Sequence, residues 1–180
     1  MSAQSSGELV PVGEHDHVLG AAEPELTLVE YGDLGCPFCF AASRPIASLL
    51  ERFPTLRLVW RHFPDPELHP GADLAAELSE LAAEHGKFWE AQALLLAGRQ
   101  SFSTEDLLAV ARRLDLDPGD AEDAIRERRY RERVRADVAG AERAGVHATP
   151  TFFVDGEPLV GSWSRLAKVV PAALAQKPSA

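Results

Sequence analysis

The sequence predicts an α/β fold in which a long helical segment is inserted between the strands. Three observations predict it. Two strand-like runs, residues 25–33 and 56–63, flank a helical segment, and that connection is long enough for a parallel crossover. Residues 69–145 show helical periodicity and no strand pattern. The chain then returns to a strand hairpin over residues 149–161 and a closing helix.

The first half of the predicted fold is a strand, a helix and a second strand. "ELTLVEYGD" (25–33) and "LRLVWRHF" (56–63) combine β-branched and aromatic side chains over strand length. Between them, residues 37–53 carry apolar side chains that share one helical face, namely Phe40, Ile46, Leu49, Leu50 and Phe53. Pro45 lies inside this helix and is expected to kink it.

The remaining elements define three predicted parts of the chain. Residues 1–23 are polar and rich in Gly and Pro, which predicts a flexible, loosely attached arm. Residues 66–145 form the inserted helical domain, in which Ser103 and Asp106 are spaced as an N-terminal cap. Residues 24–65 and 146–180 together form the α/β domain, with a turn at Asp155 and a closing helix interrupted by Pro171.

Composition excludes several classes of protein. With 180 residues, 46% apolar and 26% charged, the chain is an ordinary globular protein with no predicted membrane span. Its formal net charge of -10 argues against nucleic-acid binding, which needs a basic surface. We expect a monomer. The first twenty residues lack an apolar run, so a cytoplasmic location is expected as written, and an extracytoplasmic one if a leader or anchor was removed.

The two cysteines of the chain stand together in "GDLGCPFCF", as Cys36 and Cys39. A structural zinc site needs four ligands, and the six histidines show no matching spacing. A structural disulfide across so short a loop would contribute only about 2 kcal/mol. Both remain minor alternatives. A redox pair is favoured because the cysteines lie where the first strand gives way to a helix.

That position predicts different roles for the two sulfurs. Cys36 would lie at the helix N-terminus, where free N–H groups and the helix dipole stabilise a thiolate. Cys39, one turn further on, would be less exposed and could resolve a mixed disulfide from within the protein. Pro37 suits the first helical turn because no N–H is needed there.

A distant Thr-Pro pair supports the redox interpretation. Thr149 and Pro150 precede the apolar strand "TFFV", where a proline fits only if its missing N–H is not needed. A cis bond before Pro150 would turn the backbone of Thr149 outward, to pair with an extended substrate beside the sulfurs. Combined with the cysteine pair, this is favoured over an ordinary trans proline.

Taken together, these residues resemble the thioredoxin superfamily, and most closely the DsbA-like thiol-disulfide oxidoreductases. The matching segments are "DHVLG", "LVEYGDLGCPFC", "HP", "GKFWEAQ" and "GVHATPTFFVDG". The resemblance implies a thioredoxin fold with a helical domain inserted before the cis-proline strand. It also implies that Cys36 is the nucleophile, that Cys39 is the resolving cysteine, and that Thr149 and Pro150 form the cis-proline pair.

Three further residues are assigned with the help of this resemblance. Glu30 matches the buried acid of many relatives, and could exchange a proton with Cys39; the alternative is that it faces solvent. Asp33 is expected to cap the loop. Phe38 replaces the histidine of the archetypal oxidant, which predicts a less acidic Cys36 and a less oxidising disulfide.

The leading functional hypothesis is an enzyme that exchanges disulfides with protein substrates without a cofactor or metal. Its partners would be protein thiols or disulfides and an unidentified redox partner. An apolar groove near Phe38, Phe40 and Thr149 would bind the substrate. Two alternatives remain open: a glutathione-binding relative that acts on small molecules, and a non-catalytic redox sensor or binding module.

Overall fold

The computed structural model describes residues 9–97 and 101–177. Its strands are β1 (His17–Gly20), β2 (Leu26–Gly32), β3 (Leu56–His62), β4 (Thr151–Val154) and β5 (Glu157–Pro158). Its helices are α1 (Pro37–Arg52), α2 (Ala72–Glu84), α3 (Phe88–Leu96), α4 (Thr104–Arg113), α5 (Pro118–Glu127), α6 (Arg131–Arg143) and α7 (Leu166–Leu174), the last preceded by a 3-10 turn at Trp163–Arg165. No described helix is long and apolar enough to cross a membrane.

The strands form one sheet in the order β1-β3-β2-β4-β5. β2 and β3 are parallel and joined through α1, so the predicted crossover is confirmed. β4 runs antiparallel to β2 and continues through the Asp155 turn into β5, which confirms the hairpin. In this register Glu30 lies between Trp60 on β3 and Phe152 on β4. The predicted α/β fold class is therefore confirmed.

The helices also follow the predicted order. α2 to α6 all lie between β3 and β4 in sequence, and the described residues of this segment contain no strand. Ser103 caps α4: its hydroxyl accepts from the backbone N–H of Asp106, whose side chain accepts in return from the N–H of Ser103. α1 continues through Pro45 and α7 through Pro171, so neither proline ends its helix.

The predicted N-terminal arm needs correction. Residues 1–8 lie outside the described residues, but residues 17–20 form β1, which pairs antiparallel with β3. Arg61 on β3 holds the preceding turn, since its guanidinium donates to Asp16 at 2.7 Å and to the carbonyl of Val10 at 2.8 Å. An edge strand of four residues is held by such long-range bonds, for which the local sequence carries no signal.

The core places the cysteines between the sheet and the helical segment. Cys36, Cys39 and Trp60 share a buried cluster with apolar side chains from α2 to α5. A second cluster packs α1 and α7 against one face of β2, at Leu26 and Leu28. The cysteines therefore lie where β2 ends and α1 begins, against the helical segment.

Candidate active site

The backbone places Cys36 at the start of α1. Cys36 is the N-cap, with extended torsions of φ -78° and ψ 120°, and Pro37 begins the helix. Its N–H donates to the carbonyl of Asp33 at 3.0 Å, and its carbonyl accepts from the N–H of Phe40 at 3.1 Å. The predicted position at a helix N-terminus is confirmed.

Both cysteines are free thiols in this structure, and each sulfur has a backbone partner. In its thiol form, the Sγ of Cys36 donates to the carbonyl of Thr149 at 3.4 Å. The Sγ of Cys39 accepts from the N–H of Asp33 at 3.5 Å. Cys36 is 4% exposed and Cys39 only 1%, so the second sulfur is the more deeply buried of the two.

The two thiols differ strongly in acidity. A hydrogen bond from the Cys39 thiol lowers the pKa of Cys36 to about 5, and the backbone N–H groups of Phe38 and Cys39 add to this while burial opposes it. Burial raises the pKa of Cys39 well above its ordinary value, and its hydrogen bond to Cys36 and the charge of Glu30 raise it further. Cys36 is therefore a thiolate at neutral pH, and Cys39 keeps its proton.

This contrast predicts the pH dependence of alkylation. The rate of Cys36 modification by iodoacetamide should rise with pH with a midpoint near 5. Cys39→Ala, which removes the hydrogen-bond donor, should move the midpoint toward the ordinary value of 9.0, whereas Cys39→Ser, which keeps a donor, should move it less. Mass spectrometry of the labelled protein would measure both.

The same titration tests the effect of Phe38. A midpoint near 3.5, the value of a strong oxidant, would contradict the prediction that Phe38 makes Cys36 less acidic. A Phe38→His variant should lower the midpoint, because an imidazolium beside the thiolate favours the charged form.

The Thr-Pro pair faces the cysteines as predicted. The Thr149–Pro150 peptide bond is cis, and the Thr149 carbonyl contacts the Cys36 sulfur. Phe38, between the cysteines, is 61% exposed and forms an apolar rim to the site, while Phe40 is half-buried. The backbone of Thr149 and the ring of Phe38 are thus both within reach of a molecule attached to Cys36.

Glu30 lies beneath the site and does not face solvent. Its side chain is on the same face of β2 as Leu28, the face that α1 covers, and the residue is 2% exposed. The solvent-facing alternative is therefore wrong. Its Oε1 has no hydrogen-bond partner among the described residues. Burial raises the pKa of Glu30 to about 8, and the charge of Cys36 adds to the rise.

Asp33 organises the loop before Cys36, and the expected cap is confirmed. Its Oδ1 accepts from the N–H of Gly35 at 2.8 Å. Its Oδ2 accepts from the N–H of Asp65 at 2.9 Å and lies 2.8 Å from Nδ1 of His69. His69 belongs to the "HP" segment, and the sequence pattern did not indicate its proximity to Asp33, 36 residues earlier. The hydrogen bonds of the Asp33 carboxylate therefore connect the cysteine loop to the start of the helical segment.

The Thioredoxin family model matches residues 13–170. The chain belongs to the thioredoxin family. A solved thioredoxin-like oxidoreductase from Silicibacter pomeroyi DSS-3 superposes with a TM-score of 0.74 at 28% identity, over 89% of this chain and 93% of that one. BdbD from Bacillus subtilis superposes with a TM-score of 0.79 at 19% identity, over 94% and 97% of the two chains, and this shows the shared fold.

Similar sequences also occur inside much longer proteins. This thioredoxin-family chain is 44% identical over 157 residues to a protein of Salinispora arenicola named Na(+)/H(+) antiporter NhaA 1, a match that covers 87% of the chain but 24% of that protein. The match to a protein of that name in Herminiimonas arsenicoxydans is 38% identical and covers 89% and 25%. The chain thus spans about a quarter of the length of these relatives.

The thioredoxin-family fold also brings together a histidine cluster that the sequence did not indicate. Atoms of His17, His62 and Glu80 that could bind a metal all lie within 4.8 Å of one another. However, Trp60 Nε1 donates to His62 Nδ1 at 3.2 Å, which places the histidine proton on Nε2, facing Glu80 Oε1. Glu80 also accepts from His17 at 2.9 Å. The hydrogen bonds favour a structural network over a metal site.

Proposed function

We propose that this chain is a thiol-disulfide oxidoreductase that exchanges disulfides with protein substrates. The observation that carries the proposal is the contrast between an acidic Cys36 at a helix N-terminus and a buried, protonated Cys39 one turn later. Exchange requires one sulfur that attacks as a thiolate and a second that stays protonated until the mixed disulfide has formed. With a pKa of about 5, Cys36 is the sulfur that is ionised at neutral pH.

In the reducing direction the Cys36 thiolate attacks one sulfur of a substrate disulfide. That bond breaks, a mixed disulfide forms, and the other substrate sulfur leaves as a thiolate. The mixed disulfide removes the charge of Cys36, which is one of the two causes of the raised pKa of Glu30, and so favours the Glu30 carboxylate. Cys39 then gives its proton to this carboxylate and attacks the Cys36 sulfur, so that a Cys36–Cys39 disulfide forms and the second substrate thiolate is released. The two electrons of the dithiol thus pass to the substrate, and the reverse sequence oxidises a substrate dithiol.

The surroundings of the sulfurs suit a polypeptide substrate. The Thr149 carbonyl, already next to Cys36 Sγ, offers an acceptor to an extended backbone attached to that sulfur. The exposed ring of Phe38 offers an apolar contact beside it. We assign substrate binding to Phe38, Thr149 and Pro150, and proton exchange to Glu30.

The test is to trap the intermediate. With a peptide disulfide as substrate, Cys39→Ser should accumulate a mixed disulfide at Cys36, detected as a mass increase that dithiothreitol removes. Wild-type protein should resolve this adduct to the Cys36–Cys39 disulfide without accumulating it, and reduced glutathione should regenerate the dithiol for further turnover. The reduction potential of the pair can be measured in glutathione buffers. Failure of the wild-type protein to exchange with peptide disulfides, together with no adduct in Cys39→Ser, would overturn the proposal.

A second candidate is a redox-sensing module attached to a larger protein. It is favoured by the relatives in which the matched segment makes up a quarter of a protein named as an antiporter. A sensor would form the Cys36–Cys39 disulfide and change its binding to a partner, without turning over peptide disulfides catalytically. Multiple turnovers of peptide disulfide by the wild-type protein, with reduced glutathione supplying the electrons, would decide for the enzyme.

A further inference from the structure

A cavity of about 330 Å³ lies between α1 and α3, and one residue from each of β1, β2 and β3 also lines it. Nine of its thirteen lining side chains are apolar, including the aromatic rings of Phe40 on α1 and Trp89 on α3. The four polar ones are Glu30, Ser43, Arg44 and Gln92. A concave, largely apolar site with a few polar groups is the usual form of a small-molecule binding site.

The volume of the cavity limits the size of a ligand. At about 30 Å³ for each water-sized group, it has room for about ten non-hydrogen atoms. One benzene ring with short substituents has that size. Such a ring would also suit the walls, because the rings of Phe40 and Trp89 can pack against it at their faces or edges.

The polar group that a ligand would satisfy is the carboxyl group of Glu30. The residue is 2% exposed, and its Oε1 has no hydrogen-bond partner among the described residues. A buried oxygen without a partner is unfavourable, so a ligand that pairs with it gains affinity. Ser43 does not need a ligand in the same way, because its hydroxyl already donates to the carbonyl of Phe40 at 2.7 Å.

The charges around the cavity favour an uncharged ligand. Arg44 is exposed at the rim, and its positive charge repels a cation. The charge of Cys36, which contributes to the raised pKa of Glu30, disfavours an anion beside that carboxyl group. A hydroxyl group is uncharged and can both donate and accept a hydrogen bond, so it can pair with Glu30 in either protonation state.

We propose that this cavity binds a small, uncharged aromatic molecule that carries a hydroxyl group, such as a phenol. The hydroxyl pairs with the carboxyl group of Glu30, and the ring lies among the apolar side chains of α1 and α3. Binding forms and breaks no covalent bond. It goes beyond the proposed function, because it does not require disulfide exchange.

The test is a titration of the reduced protein with 4-ethylphenol, followed by ¹H–¹⁵N NMR. The indole N–H of Trp89 and the side-chain amide of Gln92, both in the cavity lining, should show saturable shifts. The comparison ligand is 4-ethyltoluene, in which a methyl group replaces the hydroxyl. The ratio of the two dissociation constants should change by about tenfold toward 4-ethyltoluene in Glu30→Leu, because the hydrogen bond is lost. Glu30→Gln keeps a donor and an acceptor and should preserve the wild-type ratio.

A second pair of variants locates the ligand without changing Glu30. Ala47→Phe places a large side chain at the exposed rim of the cavity and should weaken 4-ethylphenol binding at least tenfold. Ser48→Phe, at the next exposed position of α1 and outside the lining, is the matched control and should bind as the wild type does. Urea unfolding curves show whether each variant is folded.

Four outcomes would overturn the inference. The first is the absence of saturable shifts in wild type at millimolar 4-ethylphenol. The second is the same ratio of dissociation constants in wild type and folded Glu30→Leu. The third is equal weakening by Ala47→Phe and Ser48→Phe. The fourth is tighter binding of 4-ethylbenzylamine or 4-ethylbenzoate than of 4-ethylphenol, which would mean that the cavity prefers a charged ligand.

The binding measurement is separate from the test of the proposed function. It uses no disulfide substrate, so a protein that failed to exchange disulfides would sink the proposed function and leave this inference standing. A protein that exchanged peptide disulfides but showed no saturable shifts with 4-ethylphenol would do the reverse.

Discussion

Replacing Cys36 with serine is expected to lower the rate of peptide-disulfide exchange by roughly a thousandfold or more. A serine hydroxyl stays protonated at neutral pH and cannot form a disulfide, so the first bond of the exchange cannot be made. Cys39→Ser should instead release one substrate thiol per protein molecule and then stop. A chromogenic assay of thiol release, with the substrate in excess over the protein, measures both outcomes.

The comparison between the two variants decides which sulfur attacks. Both substitutions replace sulfur with oxygen at a buried position and leave the packing almost unchanged, so urea unfolding curves serve as the control for folding. If Cys36→Ser retained the first thiol release and Cys39→Ser lost it, the assignment of roles would be reversed. The burial and raised pKa of Cys39 argue against that result.

The cysteine loop could be predicted from sequence because its signals are local. A buried strand, a turn with Gly35 and a proline at the first helical position together place Cys36 at a helix N-terminus. The capping pair Ser103 and Asp106 was predictable for the same reason, since both partners lie within one helical turn. The sequence pattern therefore indicated where the two sulfurs lie in the fold.

The environment of those atoms could be predicted only in part. β2 is buried on both faces, so alternation along the strand cannot tell whether Glu30 faces solvent or the helix that covers it. The contact between Asp33 and His69 spans 36 residues, and β1 is held by partners more than 30 residues away. Such contacts depend on the tertiary fold, and no local sequence pattern predicts them.

Glu30→Gln is expected to raise the stability of the reduced protein at high pH. An acid whose pKa rises from 4.5 unfolded to about 8 folded binds its proton more tightly in the native state. Its contribution to stability is therefore fully present below pH 4.5 and is lost as the pH rises through 8. The full loss amounts to at most about 5 kcal/mol. Glutamine has no proton to lose, so the variant should avoid this loss.

The contribution of Cys36 to stability changes with pH in the opposite direction to that of Glu30. The comparison between wild type and Glu30→Gln is therefore more informative than either unfolding curve alone. Its folded pKa of about 5 lies below its unfolded value of 9.0, so Cys36 adds stability as the pH rises between them. In the wild type the contributions of Glu30 and Cys36 oppose each other, so the free energy of unfolding should depend only weakly on pH between pH 5 and 8. In Glu30→Gln the contribution of Cys36 remains alone, and stability should increase over that range.

Urea unfolding in the presence of a reductant, at intervals from pH 4 to 9, would measure this difference. The two proteins should be similarly stable near pH 4 and diverge by several kcal/mol at pH 8, with the variant the more stable. Glu25→Gln, an exposed acid just before the same strand, is the matched control and should follow the wild type. Parallel curves for wild type and Glu30→Gln would show that the pKa of Glu30 is not raised in the folded state, so that its carboxylate would be too weak a base to take the proton of Cys39.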